Sequence, residues 1–159
     1  IQVIQVMDTQ APVFSSFPVN TTVECNAVPP AAPPPVSDNC DASVNVVLSE
    51  SSTQTNNGSC TDFNYSITRT WIASDHCGNT ASVTQIITVL DTQPPVILNP
   101  PANVLAVCGA VPAPANVSAT DHCDPTPVVV FTENSTQTNN GTCSDQNYFI
   151  TRTWTAADQ

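Results

Sequence analysis

Residues 65–73 read Tyr-Ser-Ile-Thr-Arg-Thr-Trp-Ile-Ala, and the pentapeptide ITRTW within this stretch recurs at 150–154. Most of its apolar side chains fall on one face of an extended chain, a pattern typical of a β-strand with one face on a core. The sequence STQTNNG is likewise found at 52–58 and at 135–141. Both recurrences lie 83 positions apart. Such a fixed period predicts a tandem array of small domains.

Further stretches of the first repeat have the composition of strands. They are rich in Val, Ile and Thr, are bounded by Asn, Asp, Gly and Pro, and lie near Val13 and at 21–26, 44–50 and 81–90. The Pro-rich stretch 28–35 is expected to be a connection or an edge, because proline cannot donate to a sheet. No stretch has a convincing helical pattern. The sequence therefore predicts an all-β fold of tandem immunoglobulin-like β-sandwiches.

Domain boundaries are predicted at the turns Asp8–Pro12 and Asp91–Pro95, where a strand ends and prolines stiffen the linker. Residues 1–8 are then expected to be the last strand of a preceding repeat. Residues 9–91 form the first complete repeat, and residues 92–159 form a second repeat that lacks its last strand.

Composition limits the classes of function. Two basic residues against 13 acidic ones give a formal net charge of -11, which excludes a nucleic-acid surface as a main function and repels anionic membranes. No apolar run is near 18 residues, so we expect no membrane-inserted segment, and no signal peptide is recognised. Seven cysteines without a lysine indicate an oxidising, extracellular location.

The cysteines are predicted to form disulfides that stabilise each sandwich. We predict that Cys40 pairs with Cys77, in loops at one end, and that Cys25 pairs with Cys60, towards the other end, and by equivalence that Cys108 pairs with Cys143, although four cysteines permit three pairings. Each bond would close a loop of about 36 residues and contribute roughly 3–4 kcal/mol. The second repeat carries the equivalent residues Cys108, Cys123 and Cys143, and Cys123 would find its partner beyond residue 159. Zinc is disfavoured because there is no Cys-x-x-Cys pair.

The two arginines of the chain lie at equivalent positions, and each is expected to pair with a glutamate. Arg69 falls on the apolar face of 65–73, and Glu50 shares a face with the valines of 44–50. We predict a partly buried, structural ion pair between them, with Trp71 stacked on the guanidinium. The equivalent pair is Glu133 with Arg152. The alternative is an arginine that snorkels from a sheet edge.

The run from Arg69 through Asp75-His-Cys77-Gly-Asn79, preceded by Asp38-Asn-Cys40 and followed by Asp91-Thr-Gln-Pro-Pro95, resembles HYR-like (hyalin-repeat-like) immunoglobulin-fold repeats. The resemblance covers nearly two copies. It implies a secreted or surface protein, notably a long adhesin or a surface fibre. The second copy departs from the pattern, because it ends without the Cys-Gly-Asn turn.

Acidic residues that recur in register are the candidates for a metal site. Asp38, Asp41 and Asp75 are expected to gather at one end of the sandwich, close to the linker that carries Asp91. Carboxylates between domains suit Ca²⁺, and no other cofactor is expected. The alternative is that these side chains accept backbone hydrogen bonds in Asx-turns.

Glycosylation is a separate hypothesis, since it rests only on Asn-x-Ser/Thr sequences. These begin at Asn20, Asn57, Asn64, Asn116, Asn134 and Asn140.

Catalysis is not expected. The two histidines have no nucleophile in register, and the recurring carboxylates are better explained by turns. We predict a structural repeat that forms the shaft of an extracellular fibre, a pilus-like filament or a long surface adhesin. A carbohydrate- or ligand-binding module of a secreted protein is the alternative, although Tyr65 and Trp71 fall on the presumed core face.

The expected partner of the chain is another copy of itself. The segment Ile1 to Met7 is in register with Thr84 to Leu90, the predicted last strand of the first repeat. It is expected to complete the second domain of a neighbouring unit through Ile1, Val3, Ile4, Val6 and Met7. Either a continuous chain or donor-strand insertion between subunits would achieve this.

Overall fold

The computed structural model describes residues 1–142 and 145–158, and these form an all-β protein. The chain divides into two compact units, Ile1–Asp91 (unit 1) and Thr92–Gln159 (unit 2). The division falls within the predicted turn Asp91–Pro95. A 3-10 turn lies at Cys60–Asp62.

Unit 1 contains six strands in two sheets. They are β1 (Val13–Phe14), β2 (Thr21–Val23), β3 (Val36–Ser37), β4 (Asn45–Ser52), β5 (Tyr65–Ser74) and β6 (Thr80–Val89). The larger sheet has the order β2-β6-β5-β4, while β1 and β3 form a separate pair. The central strand β5 is antiparallel to both β4 and β6, and β2 is parallel to β6. The prediction of an all-β fold is confirmed.

The core of unit 1 lies on the face of β5 that carries Ile67, Trp71 and Ala73, as the alternation of apolar residues predicts. Trp71, Ala73 and Val83 of the larger sheet pack against Phe14 of β1, so the small sheet covers one end of the large one. A second cluster, built around Ile67, Ile87 and Val89, lies towards the other end. Every second residue of β5 from 67 to 73 is buried, as a strand with one covered face requires.

Unit 2 contains four strands, β7 (Val96–Leu98), β8 (Ser118–Thr120), β9 (Val128–Ser135) and β10 (Ile150–Ala157). The antiparallel pair β7-β8 corresponds to β1-β3, and the antiparallel pair β9-β10 corresponds to β4-β5. Within the described residues of unit 2, no strand corresponds to β2 or β6.

Two elements of unit 1 differ from the expectation. The strand predicted at 21–26 ends at Val23, because the N–H of Ala27 donates to the carbonyl of Glu24 at 2.9 Å and closes a turn. The two-residue strand β3 follows the Pro-rich connection and was not predicted. Its residue Val36 pairs with Phe14, so its partner is distant in sequence.

Candidate functional site

The segment Ile1–Met7, in which five of the seven residues are apolar, has no sheet partner among the described residues. All seven residues are exposed and none is in a strand. Val3, Ile4 and Val6 are 87%, 74% and 88% exposed. Such a contiguous apolar stretch in solvent is typical of a binding segment.

Strand β10 has one open edge. Its counterpart β5 in unit 1 is hydrogen-bonded on both sides, by β4 and by β6. In the part of unit 2 that the structure describes, β10 pairs only with β9. Its outer row of backbone N–H and C=O groups is therefore a template for a further strand.

Residues 104–106 of unit 2 are not assigned to a strand. Residues 104–106 are equivalent to β2, whose only partner in unit 1 is β6. Val104 is 71% and Leu105 is 102% exposed. Since β2 is held to its sheet by β6 alone, its counterpart stays unpaired where no strand corresponds to β6.

The core of unit 2 is open along this edge. Trp154 is only partly buried, whereas its counterpart Trp71 is 2% exposed against Val83 of β6. Phe131 contacts Trp154 with the ring centroids 5.2 Å apart, and both rings line a groove with Val129.

The two predicted ion pairs have the same geometry. Arg69 Nε donates to Glu50 Oε2 at 2.6 Å, and Arg152 Nε donates to Glu133 Oε2 at 2.6 Å. They differ in burial, since the side chain of Arg69 is 6% exposed and that of Arg152 is 18% exposed. Sequence predicted these pairs because opposite charges face each other across strands in register.

Two details of the buried pair were not anticipated. The Nη1 of Arg69 donates to the carbonyl oxygen of Pro29 at 2.9 Å, so the guanidinium also fixes the Pro-rich connection. Trp71 lies in the apolar cluster with Phe14 and Val83. The described residues show no cation-π contact between Trp71 and Arg69, because the arginine turns towards its two oxygen partners.

Replacing Arg69 with methionine is expected to lower the free energy of unfolding of unit 1 by about 2–3 kcal/mol. The Pro29 carbonyl and the Glu50 carboxylate lose a partner, although Glu50 is 45% exposed and regains water. Arg152→Met is the matched control, with an expected loss of about 1 kcal/mol at its more exposed pair. Urea denaturation of each variant measures both losses, and equal midpoint shifts would contradict the role of burial.

Two of the predicted carboxylates, Asp38 and Asp75, accept hydrogen bonds within turns. Asp38 Oδ1 accepts the N–H groups of Cys40 at 2.9 Å and Asp41 at 3.0 Å, as in an Asx-turn. Asp75 accepts both the backbone and the side-chain N–H of Asn79 at 2.8 Å. Burial acts to raise the pKa of Asp75, but the hydrogen bonds from Asn79 outweigh it and lower that pKa.

The structure groups a different set of carboxylates from the one predicted. Oxygens of Asp8, Asp38 and Asp75 lie within 4.8 Å of one another. Asp41 instead contacts His76, and the N–H of Asp91 donates to Asn64 Oδ1 at 3.0 Å. Asp8 was missed because only the fold brings it to the two loops. Calcium binding at these carboxylates stays a prediction.

Asp41 and His76 form a contact between two loops. Asp41 Oδ2 accepts the backbone N–H of His76 at 2.9 Å and also contacts its Nδ1. The N–H of Ser43 donates to Asp41 Oδ1 at 2.8 Å. The Ser43 N–H and then His76 lower the pKa of Asp41, and the hydrogen bond that the His76 ring makes to Asp41 raises the pKa of His76.

The Asp41 to His76 contact predicts a pH window for the two loops. Because the pKa of His76 is raised, its contribution is complete below its ordinary pKa and is lost as pH rises through the raised value. Because the pKa of Asp41 is lowered, its contribution is lost only as pH falls through the lowered value. Asp41→Asn is therefore expected to lower the pKa of His76, measured by NMR titration of the imidazole. Asp62→Asn is the control, and a His76 pKa that is unchanged in Asp41→Asn would contradict the contact.

The cysteines differ in part from the predicted pairing. Cys25 is disulfide-bonded whereas Cys60 is a free thiol, so the pair Cys25–Cys60 is not formed. Cys25 is half-buried against the cluster of Ile67, Ile87 and Val89, while Cys60 is exposed at the start of the 3-10 turn. Their side chains thus have different surroundings.

The other described cysteines are free thiols, apart from Cys123. Cys40 and Cys77 are free thiols that line one pocket together with His76, and their bridge stays a prediction. In unit 2, Cys123 is disulfide-bonded, so its partner is not outside the chain as expected. Cys108 is a free thiol whose Sγ donates to Gln146 Oε1 at 3.1 Å. Its predicted partner Cys143 lies outside the described residues.

The strands of unit 1 coincide with a match to a known protein family. Residues 13–89, which run from the first residue of β1 to the last residue of β6, match the family described as HYR-like domain with 4 cysteines. Unit 1 carries an HYR-like domain. The four cysteines of the matched stretch are Cys25, Cys40, Cys60 and Cys77. No curated protein and no solved structure matches the chain significantly.

HYR-like domains occur in extracellular proteins, where they are adhesion-type modules. Among the described residues, no helix is long and apolar enough to cross a membrane.

Proposed function

We propose that this chain is a structural repeat of an extracellular fibre shaft or long surface adhesin, assembled end to end. In this assembly, Ile1–Met7 of one copy completes unit 2 of the preceding copy. The observation that carries the proposal is the open edge of β10, combined with an exposed segment whose sequence is in register with β6.

The register of the inserted strand follows from unit 1. Ile4 is equivalent to Ile87 and Val6 to Val89, and both counterparts are 0% exposed. Ile87 pairs with Ile67 of β5. We therefore expect Ile4 of the incoming strand to lie opposite Ile150 of β10, antiparallel to it.

The incoming strand would gain a second neighbour on its other side. In unit 1, β6 lies between β5 and β2, with Ile87 paired to Thr21 in a parallel ladder. The equivalent of Thr21 is Val104. Insertion would therefore also order residues 104–106 as a strand. The donor becomes a central strand, so that its backbone is hydrogen-bonded on both edges, as in strand-addition complexes.

The composition supports a shaft made of such units. A net charge of -11 keeps a polymer soluble by mutual repulsion. The buried ion pair in unit 1 and the hydrogen-bonded Asx-turns stabilise the connections between strands. The function is then mechanical, namely to span distance outside the cell.

The proposal is tested by comparing the full chain with a chain that begins at Asp8. The full chain is expected to sediment as a concentration-dependent polymer and to form filaments in electron micrographs. The shortened chain is expected to be monomeric, and a peptide of residues 1–7 should bind it and raise the fluorescence of Trp154. A monomeric full chain, or a shortened chain that still polymerises, would refute strand insertion.

The size of the denatured fibre subunit distinguishes strand insertion between copies from one continuous polypeptide. Fibres from the natural source are dissolved in denaturant without reductant and run on a gel. Units of the size of a short chain support non-covalent strand insertion. A species that stays very large after reduction as well would show a continuous polypeptide.

A carbohydrate-binding module is the second candidate, because Phe131 and Trp154 line a groove in unit 2. Aromatic rings in grooves are common contacts for sugars. The inserted strand would cover the same face, so the two functions exclude each other there. A glycan-array signal of the monomer that is lost both in Trp154→Ala and on addition of the peptide of residues 1–7 would favour sugar binding in this groove.

A further inference from the structure

The six Asn-x-Ser/Thr sequences lie in different settings. Asn134 is an internal residue of β9. Asn20 Oδ1 accepts the backbone N–H of Ile86 at 2.8 Å, so this side chain ties the chain to β6. Asn116 lies two residues before β8. None of these three side chains forms a described hydrogen bond with the hydroxyl of its own sequence triplet.

Asn64 is engaged at both ends of its amide. Its Nδ2 donates to the carbonyl of Cys60 at 3.2 Å, and its Oδ1 accepts the N–H of Asp91 at 3.0 Å. A glycan on this Nδ2 would remove a hydrogen bond that the fold uses.

The loop between β4 and β5 holds Asn57 in a different arrangement. Asn57 Oδ1 accepts the backbone N–H of Ser59 at 3.1 Å and the hydroxyl of the same Ser59 at 2.6 Å. It also accepts the hydroxyl of Thr55 at 3.2 Å. The residue is exposed, and its Nδ2 has no acceptor among the described residues.

Unit 2 repeats this arrangement at the equivalent position. Asn140 Oδ1 accepts the N–H of Thr142 at 3.1 Å, and the hydroxyls of Thr142 at 2.5 Å and Thr138 at 3.2 Å. Asn140 is exposed. The chain thus builds the same closed turn twice, each time from an Asn-Gly-Ser/Thr triplet.

The turn is held by the residues around it. Asp62 accepts the N–H of Asn57 at 3.1 Å and the N–H of Gly58 at 2.7 Å. Gly58 has a φ of 72°, which is the left-handed region that side chains disfavour. A glycine at the middle of the triplet therefore allows the turn to close.

We propose that Asn57 and Asn140 are the N-glycosylation sites of the folded chain. Donors on Oδ1 draw electron density from the amide and make its Nδ2–H groups more acidic, while Nδ2 itself remains accessible. The co-reactant is an oligosaccharide linked to a lipid diphosphate, delivered by a transferase. The Nδ2–C1 bond forms as the C1–O bond to the diphosphate breaks. The lipid diphosphate leaves, and the amide proton passes to a base of the transferase.

The experiment is to secrete the full chain from a eukaryotic cell line and to map glycan occupancy at each triplet by mass spectrometry. High occupancy is expected at Asn57 and Asn140, with little at Asn20, Asn64, Asn116 and Asn134. Gly58→Ala keeps an Asn-Ala-Ser triplet but strains the turn. It is expected to lower the occupancy at Asn57 about tenfold, while Asn140 in the same molecule is the internal control.

Three outcomes would overturn the proposal. These are a chain that is secreted without glycan at Asn57 and Asn140, equal occupancy at all six triplets, and an unchanged Asn57 in Gly58→Ala. Circular dichroism of Gly58→Ala is the folding control. An unchanged spectrum shows that the variant is folded, so that a lower glycan occupancy at Asn57 is due to the altered turn. Polymerisation of the secreted chain is measured separately, so that strand insertion and glycosylation fail or succeed independently.

Discussion

Replacing Ile4 with aspartate is expected to abolish the proposed end-to-end polymerisation of the chain. In the inserted register, Ile4 takes the position of Ile87, which is 0% exposed in unit 1. The variant loses the burial of an isoleucine, about 1.5–3 kcal/mol, and buries an unpaired carboxylate at further cost. The affinity between copies should fall at least about a hundredfold, since 1.4 kcal/mol is a factor of ten. Analytical ultracentrifugation across a concentration series measures the loss.

Val3→Asp is the matched control for Ile4→Asp. It introduces the same charge one residue away, at the position of Ile86, which is 42% exposed. Successive residues of a strand point to opposite faces, so this carboxylate should remain in water and polymers should persist. If both variants polymerise equally well, or if Val3→Asp is the more damaging, the register is wrong.

The long strands β4, β5 and β6 of unit 1 were predictable because each carries its own pattern. In β5 the alternation of apolar side chains selects the buried face, and Glu50 opposite Arg69 reveals which strands are neighbours. The unpredicted strand β3 has only two residues, too few for a period, and it exists because β1 pairs with it.

The contacts between loops could not be derived from sequence. Asp41 and His76 lie 35 positions apart, and each occurs in a turn that would look complete without the other. Likewise, Asp8 joins Asp38 and Asp75 only because the fold brings its segment to that end of the unit. From sequence, Asp38, Asp41 and Asp75 were candidates either for a calcium site or for Asx-turns, and their partners stayed undetermined.

We expect Trp71→Ala to destabilise its unit more than Trp154→Ala does. The two tryptophans lie at equivalent positions of the repeat, but Trp71 lies in a closed core and Trp154 in an open one. Trp71 is 2% exposed between the two sheets of unit 1. Its removal should lower the free energy of unfolding of unit 1 by about 3–5 kcal/mol. Trp154 is only partly buried, so in the monomer its loss should cost less, about 1–2 kcal/mol.

Association between copies should show the opposite order, with Trp154→Ala more damaging than Trp71→Ala. An inserted strand would cover Trp154 as β6 covers Trp71, so Trp154→Ala should weaken polymerisation, and Trp71→Ala should leave it intact wherever unit 1 remains folded. The chain has two tryptophans, and each variant retains one, whose fluorescence follows unfolding of the other unit as an internal reference. A Trp154→Ala chain that polymerises normally would mean that the open face of unit 2 is not where the copies join.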